Sequence, residues 1–194
     1  MRQETINLYK FHELPDEVKE KVIDKYRCLN VDYYSWWNGV VEATRQEWLE
    51  KYGIDFDPEG LSFDLYHREL RFSKGKIWVD DPSKLLYAVT QDETWARLAD
   101  KEILVPYFSD SHLLIEDLRQ DDLSDEDDPL VSLVKERVYS ERLPDLDDWF
   151  KDLCRGFLKE LDKEYDYLTS DKAVIETIEA NDWEFTINGE LWSP

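Results

Sequence analysis

An α+β fold is predicted by a change of hydrophobic period along the chain and by where that change falls. Between residues 54 and 80 apolar side chains recur at every second position: Leu61, Phe63 and Leu65, then Leu70 and Phe72, then Ile77 and Val79. After Pro144 they recur at steps of three and four, through Leu146, Phe150, Leu153, Phe157, Leu161 and Tyr165. The first period puts alternate residues on one face of a strand, the second lines one face of a helix. Strand signals gather in the first half and helix signals dominate the second, so the elements are segregated rather than alternating. The expectation is an antiparallel sheet in the N-terminal half packed against helices, with a helical C-terminal half. At 194 residues, with 42% hydrophobic residues including eight Trp, eleven Tyr and eight Phe, the chain can fill a core. It reads as one domain over 1–194, in which an acidic loop at 119–128 is the candidate divider between an N-terminal part (1–118) and a mostly helical part (129–194).

Each element has a local reason. Leu8, Tyr9 and Phe11, with Ile6, suggest a short opening strand. Pro15 opens a helix, since its missing N–H and fixed φ suit a first turn, and Asp16, Glu17 and Glu20 favour the positive end of the helix dipole. Val18, Val22, Ile23 and Tyr26 form its apolar stripe. A second helix is expected from about Ser35 to Tyr52, burying Trp37, Val40, Val41, Trp48 and Tyr52, with Gly53 as its C-cap. Ser73-Lys74-Gly75-Lys76 reads as a hairpin turn joining the strand at Leu70–Phe72 to that at Ile77–Val79. Short helices follow at Pro82–Val89 and Asp92–Asp100, the second capped by Asp92. Ile103–Tyr107 and His112–Ile115 look strand-like. Pro129 opens a helix, and the long helix follows Pro144. Ser170 caps another that ends near Asn181. Trp183, Phe185 and Ile187 alternate before Asn188-Gly189, a type I′ turn signal with little chain left to pair.

Composition excludes several function classes. Forty-six Asp and Glu against 24 Lys and Arg give a net charge of −22. Such a chain repels nucleic acid and anionic lipid and attracts basic protein surfaces. No run of 18 apolar residues exists to span a membrane, and MRQETINLYK lacks the apolar segment of a secretory signal. Two cysteines, Cys28 and Cys154, do not make a disulfide framework and point to a reducing compartment. Both read as small packing residues.

The chemical motifs are weak. The acidic run from Asp121 to Asp128 fails as a calcium loop, because its sixth position is Glu126 and its twelfth Ser132. His12, His67 and His112 show no zinc spacing. No phosphate-binding glycine loop, dinucleotide fingerprint or esterase elbow occurs. Asp64 and Glu69 stand near a strand pair where a metal-dependent nuclease would hold acids, and His112 could serve as a base, but such an enzyme's lysine is here Arg71. Cross-strand pairing accounts for His67, Arg68, Arg71, Lys74 and Lys76 more simply.

The charge itself is the informative feature. Acids along 145–166 are followed three residues on by cations, as in Asp148 with Lys151, Asp152 with Arg155 and Glu160 with Lys163, so that helix is locally neutralised. Residues 110–128 are different. Nine acids (Asp110, Glu116, Asp117, Asp121, Asp122, Asp125, Glu126, Asp127 and Asp128) face one cation, Arg119. DNA presents a phosphate about every 3.4 Å per strand, and carboxylates two apart on a strand or three to four apart on a helix lie at about 5–7 Å. A rigid array of that kind fits a Lys/Arg-lined groove. Exposed aromatics such as Tyr34 or Trp36 could anchor the contact, though packing is the ordinary role of each.

Phe11-His12-Glu13-Leu14 before a Lys/Glu-rich helix, the Trp-rich second helix, Gly53-Ile54, and above all Leu161-Asp-Lys-Glu-Tyr-Asp-Tyr-Leu-Thr-Ser170 with Ala173-Val174-Ile175-Glu176 and Asn181-Asp182-Trp183-Glu184-Phe185 resemble a family of phage and prophage proteins. The likeness covers most of the chain and departs around 61–80, where relatives often carry a Gly-rich stretch. It implies a phage context, a bacterial host cytoplasm and an action on host machinery, but no chemistry and no functional residue. The reading that joins resemblance to charge is a non-enzymatic, cofactor-free inhibitor. Its partner would be a basic nucleic-acid-binding defence protein, such as a CRISPR effector or restriction enzyme, blocked by nucleic-acid mimicry through the nine acids above. It would bind neither nucleic acid directly nor membrane. The competing readings are a metal-dependent phage enzyme using Asp64, Glu69 and His112, and an antitoxin-like binder of a small basic toxin.

Overall fold

Helix starts follow the side chains able to cap them. Asp81 Oδ1 accepts from the Lys84 N–H at 3.0 Å, Asp92 Oδ1 from Thr94 N–H at 2.8 Å and Ser170 Oγ from Ala173 N–H at 3.3 Å. Each satisfies one orphan donor of a first turn. In the computed structural model, which describes residues 6–33, 35–102, 104–110, 112–117 and 145–192, these starts belong to an α+β chain with a helical C-terminal region. Its strands pair as two-stranded antiparallel ladders. Two compact units emerge: Met1–Gly39 with Leu161–Pro194, and Val40–Glu160. Their boundaries fall inside two helices, α2 (Asn38–Tyr52) and α5 (Leu146–Leu168).

The first unit joins the two chain ends. β1 (Tyr9–Lys10) runs antiparallel to β8 (Glu184–Phe185), and α1 (Asp16–Lys25) and α6 (Asp171–Ala180) complete the frame. Phe11, Leu14, Val22, Ile23, Val174, Ile178 and Phe185 form its buried core, with Tyr26 edge-on to Trp183 at 5.3 Å. Arg27 ties α1 to α6 through Asp171 at 2.9 Å and the Thr169 carbonyl at 3.1 Å. The Asn188-Gly189 turn does find a partner: Thr186 N–H donates to the Glu190 carbonyl at 2.9 Å and Trp192 N–H to that of Glu184 at 2.8 Å. Two residues after the turn suffice, because β8 already has β1 on its other side.

In the second unit the period-two region folds as one long hairpin. β2 (Ile54–Phe56) pairs with β5 (Ile77–Val79), and β3 (Leu61–Asp64) with β4 (Glu69–Phe72), in a common register. The hairpin turn is therefore at 65–68, and Ser73–Lys76 is a lateral turn opposite the 3₁₀ turn Pro58–Gly60. The sequence signal was sound for a turn, with Gly75 at φ +71° and Lys76 N–H donating to the Ser73 carbonyl at 3.0 Å. It could not identify which strand pairs with which. α2 begins at Asn38, three residues later than its pattern suggests, since residues 35–38 close a turn from Asn38 N–H to the Ser35 carbonyl at 3.1 Å.

Trp48 on α2 is 3% exposed and packs edge-on against Phe56, Phe150 and Phe157 at 5.5, 5.9 and 5.6 Å. Edge-to-face rings at these separations add to burial. α2 ends where Gly53 (φ +64°) turns the chain into β2. A Cβ there would lie 2.4 Å from the Asp81 carbonyl oxygen, so only glycine fits. α3 (Pro82–Thr90), α4 (Glu93–Asp100) and the hairpin of β6 (Leu104–Ser109) with β7 (His112–Asp117) complete the described part. Leu85, Leu98, Leu104 and Leu113 are almost fully buried. The helix expected at Pro129 lies outside the described residues. Cys154 is half-buried, as a packing residue should be, whereas Cys28 is exposed.

Candidate functional site

Of the nine acids assigned to partner binding, Asp110, Glu116 and Asp117 fall on the β6–β7 hairpin. Asp110 holds its turn at φ +55°, and its exposed carboxylate stands 3.8 Å from Lys74 Nζ. Asp tolerates this left-handed conformation better than most residues. Glu116 is opposite Val105 and Asp117 opposite Leu104 in the register. Asp121, Asp122, Asp125, Glu126, Asp127 and Asp128 lie outside the described residues, as does Tyr34. Trp36 meets Tyr165 edge-on at 5.7 Å, which is the packing role.

Basic side chains across the described residues are drawn into pairs with acids. Lys10 reaches Asp182 at 2.8 Å and Glu184 at 3.3 Å, Lys51 reaches Glu47 at 2.7 Å, and Lys76 reaches Asp57 at 2.5 Å. The Lys76 hydrogen bond and the Glu59 N–H hold the Asp57 carboxyl below its ordinary value. On α5 the expected Asp148–Lys151 and Asp152–Arg155 pairs form. The least exposed pair is Arg45 with Asp55, two hydrogen bonds at 2.7 and 3.2 Å beside the fully buried Ile54 and Phe56. Sequence reading missed it, because an Asp flanked by two apolar residues in a strand resembles a solvent-facing position until tertiary packing covers both faces.

The acids considered for metal chemistry are only partly assembled. Asp64 and Glu69 are direct cross-strand partners. Like charges in that position repel, and each has a basic partner: His67 Nδ1 is 2.7 Å from Asp64, and Arg71 is 3.0 Å from Glu69. His112 is occupied elsewhere, 3.1 Å from Asp147. Burial pushes the Asp147 carboxyl up, but hydrogen bonds from Lys151 and His112 outweigh it and leave the group below its ordinary value. Among the described residues no three His, Cys, Asp or Glu side chains converge as a metal site. Nor does any described helix have the length and apolarity to cross a membrane.

Clefts on the described surface include the following two. One, of about 310 Å³ in the first unit, is lined by Lys10, Phe11, His12, Ile178, Glu179, Asp182 and Trp183. The other, of about 260 Å³ in the second unit, lies between β4 and one face of α5. Phe72, Phe150 and Leu158 form its apolar floor, and Arg68, Arg71, Lys151 and Arg155 with the lone acid Glu69 form its rim. Burial pushes the Cys154 thiol in its wall up to about 12, which keeps it protonated and unreactive. The sequence carries a signal for this cleft, since Phe150, Lys151, Cys154, Arg155 and Leu158 share one helical face, but acids three residues before the two cations give the same segment the look of a neutralised surface. No protein-family model matches the chain, and no curated protein or solved structure is significantly similar to it.

Proposed function

We propose that this chain is an acidic binding protein that occupies the positively charged groove of a nucleic-acid-handling protein in a bacterial host and blocks it by imitating a phosphate backbone. The supporting observation is the concentration of negative charge in residues 110–128, nine carboxylates against Arg119 in a chain of net charge −22. Elsewhere many of the described cations already have local partners, as in Lys10–Asp182 and Lys76–Asp57, and Lys74, 3.8 Å from Asp110, is the described cation that reaches the start of that stretch. The β6–β7 hairpin anchors its beginning, with Asp110 at the turn. Carboxylates that must remain hydrated or meet a cationic partner gain most from a surface that supplies many Lys and Arg side chains at once, with release of counterions on both sides.

The test uses the full chain and a variant with Asp121, Asp122, Asp125, Asp127 and Asp128 changed to Asn and Glu126 to Gln. At about 50 mM salt the wild type should retain a nucleic-acid-binding host protein and release it to competing duplex DNA or RNA. Raising salt to about 200 mM should weaken the complex by an order of magnitude or more, as for a phosphate-tracking groove, and the variant should not retain the partner. Retention indifferent to salt, to competitor and to the six substitutions would overturn the proposal.

A further inference from the structure

We infer that the cleft between β4 and α5 is a binding site for a small phosphomonoester whose organic part is apolar. On a chain with almost twice as many acids as cations, four cations and one acid line this cleft. Two of the cations come from the β-hairpin, Arg68 from its turn and Arg71 from β4. The other two, Lys151 and Arg155, stand one turn apart on α5 and project from the face that also carries Phe150, Cys154 and Leu158. Arg68 is held at φ +57°, a conformation uncommon for a residue with a Cβ, in the turn between β3 and β4.

The two levels of the cleft ask for two chemical parts. Phe72, Phe150 and Leu158, each 5% exposed or less, offer an apolar floor, and a neutral Cys154 thiol adds no charge to it. The guanidinium groups offer forked donors suited to phosphate oxygens. Their present partners do not prevent this. Arg71 holds Glu69 at 3.0 Å, Lys151 holds Asp147 at 2.8 Å and Asp148 at 3.1 Å, and Arg155 pairs with Asp152. All but Asp147 are exposed acids in pairs of the kind that contribute little, and a dianion reached by several cations at once competes with them. A carboxylate ligand would bring half the charge. At about 260 Å³ the cleft falls just below the usual range of ligand pockets, about 300–1,000 Å³, so the occupant is small. Acids beyond about 8–10 Å are screened at physiological salt, so a ligand competes with the adjoining carboxylates and not with the charge of the whole chain.

Phenyl phosphate is the probe, titrated into the full chain at low salt and followed by calorimetry and by amide shifts. Saturable binding with shifts confined to residues 68–72 and 150–158 is expected. Inorganic phosphate, lacking the apolar part, and benzoate, lacking the second charge, should each bind at least about tenfold more weakly. Arg71→Gln and Arg155→Gln, both at exposed side chains, should each weaken phenyl phosphate by about tenfold, the weight of one charge-assisted contact. Lys51→Gln, a cation outside the cleft, should change it less than twofold. Absence of saturation at millimolar probe, shifts elsewhere on the chain, benzoate binding as tightly, or indifference to both arginine substitutions would overturn the assignment.

Discussion

Arg45→Met removes the group that holds both oxygens of Asp55. The Asp55 side chain is 12% exposed, and its neighbours Ile54 and Phe56 are fully buried, so the carboxylate is left with the Phe56 N–H at 2.8 Å as its remaining hydrogen bond. Breaking a fully buried pair costs about 3–5 kcal/mol. Arg45 itself is 34% exposed, so water can enter where the guanidinium stood. That brings the expected loss to about 2–3 kcal/mol. Asp55→Asn keeps an oxygen for the Phe56 N–H and removes the charge, at a cost of about 1–2 kcal/mol. The double variant orphans no charge, so its loss should fall short of the sum of the singles by about 1–2 kcal/mol. Urea denaturation of all four proteins, with exchange protection of the Ile54–Phe56 amides read in parallel, checks this without assuming that both units unfold together. A loss below about 0.5 kcal/mol for Arg45→Met, or strict additivity in the double variant, would refute the reasoning.

Two further outcomes are expected beyond the partner-capture and phenyl phosphate experiments. Gly53→Ala forces a Cβ against the Asp81 carbonyl at a positive φ, and should destabilise the second unit by about 2–4 kcal/mol in the same denaturation assay; an unchanged midpoint would show that α2 ends differently. The Asp64 hydrogen bond raises the His67 pKa above its ordinary 6.5, and the His67 bond lowers that of Asp64 below 3.8. The pair's stabilisation is therefore complete between those values, fading as pH rises through the His67 midpoint or falls through that of Asp64. Imidazole shifts followed by NMR should place the His67 midpoint above 6.5, and Asp64→Asn should return it downward; a midpoint indifferent to that substitution would exclude the contact.

Local chemistry determined which segments became helix or strand. The steps of three and four from Leu146 to Leu161, the alternation at Leu61–Phe63, and the capping side chains Asp92 and Ser170 each act within a few residues of themselves, so their effect is legible without knowing what they pack against. The charge excess is legible for the same reason, being a sum over side chains. Pairing between distant segments was decided by tertiary structure alone. Phe72 and Ile77 are separated by a good turn, yet β5 belongs beside β2, because closing the longer hairpin brings the buried Ile54, Phe56 and Ile77 to one pair of strands, with Phe56 edge-on to Trp48. The partner of Asp55 was equally invisible, since a carboxylate can be buried once a guanidinium ten residues away reaches it. The cationic cleft arises when a strand and a helix about eighty residues apart in sequence bring their arginines to one rim. A composition of net charge −22 gives no hint of such a place, because an average carries no positions.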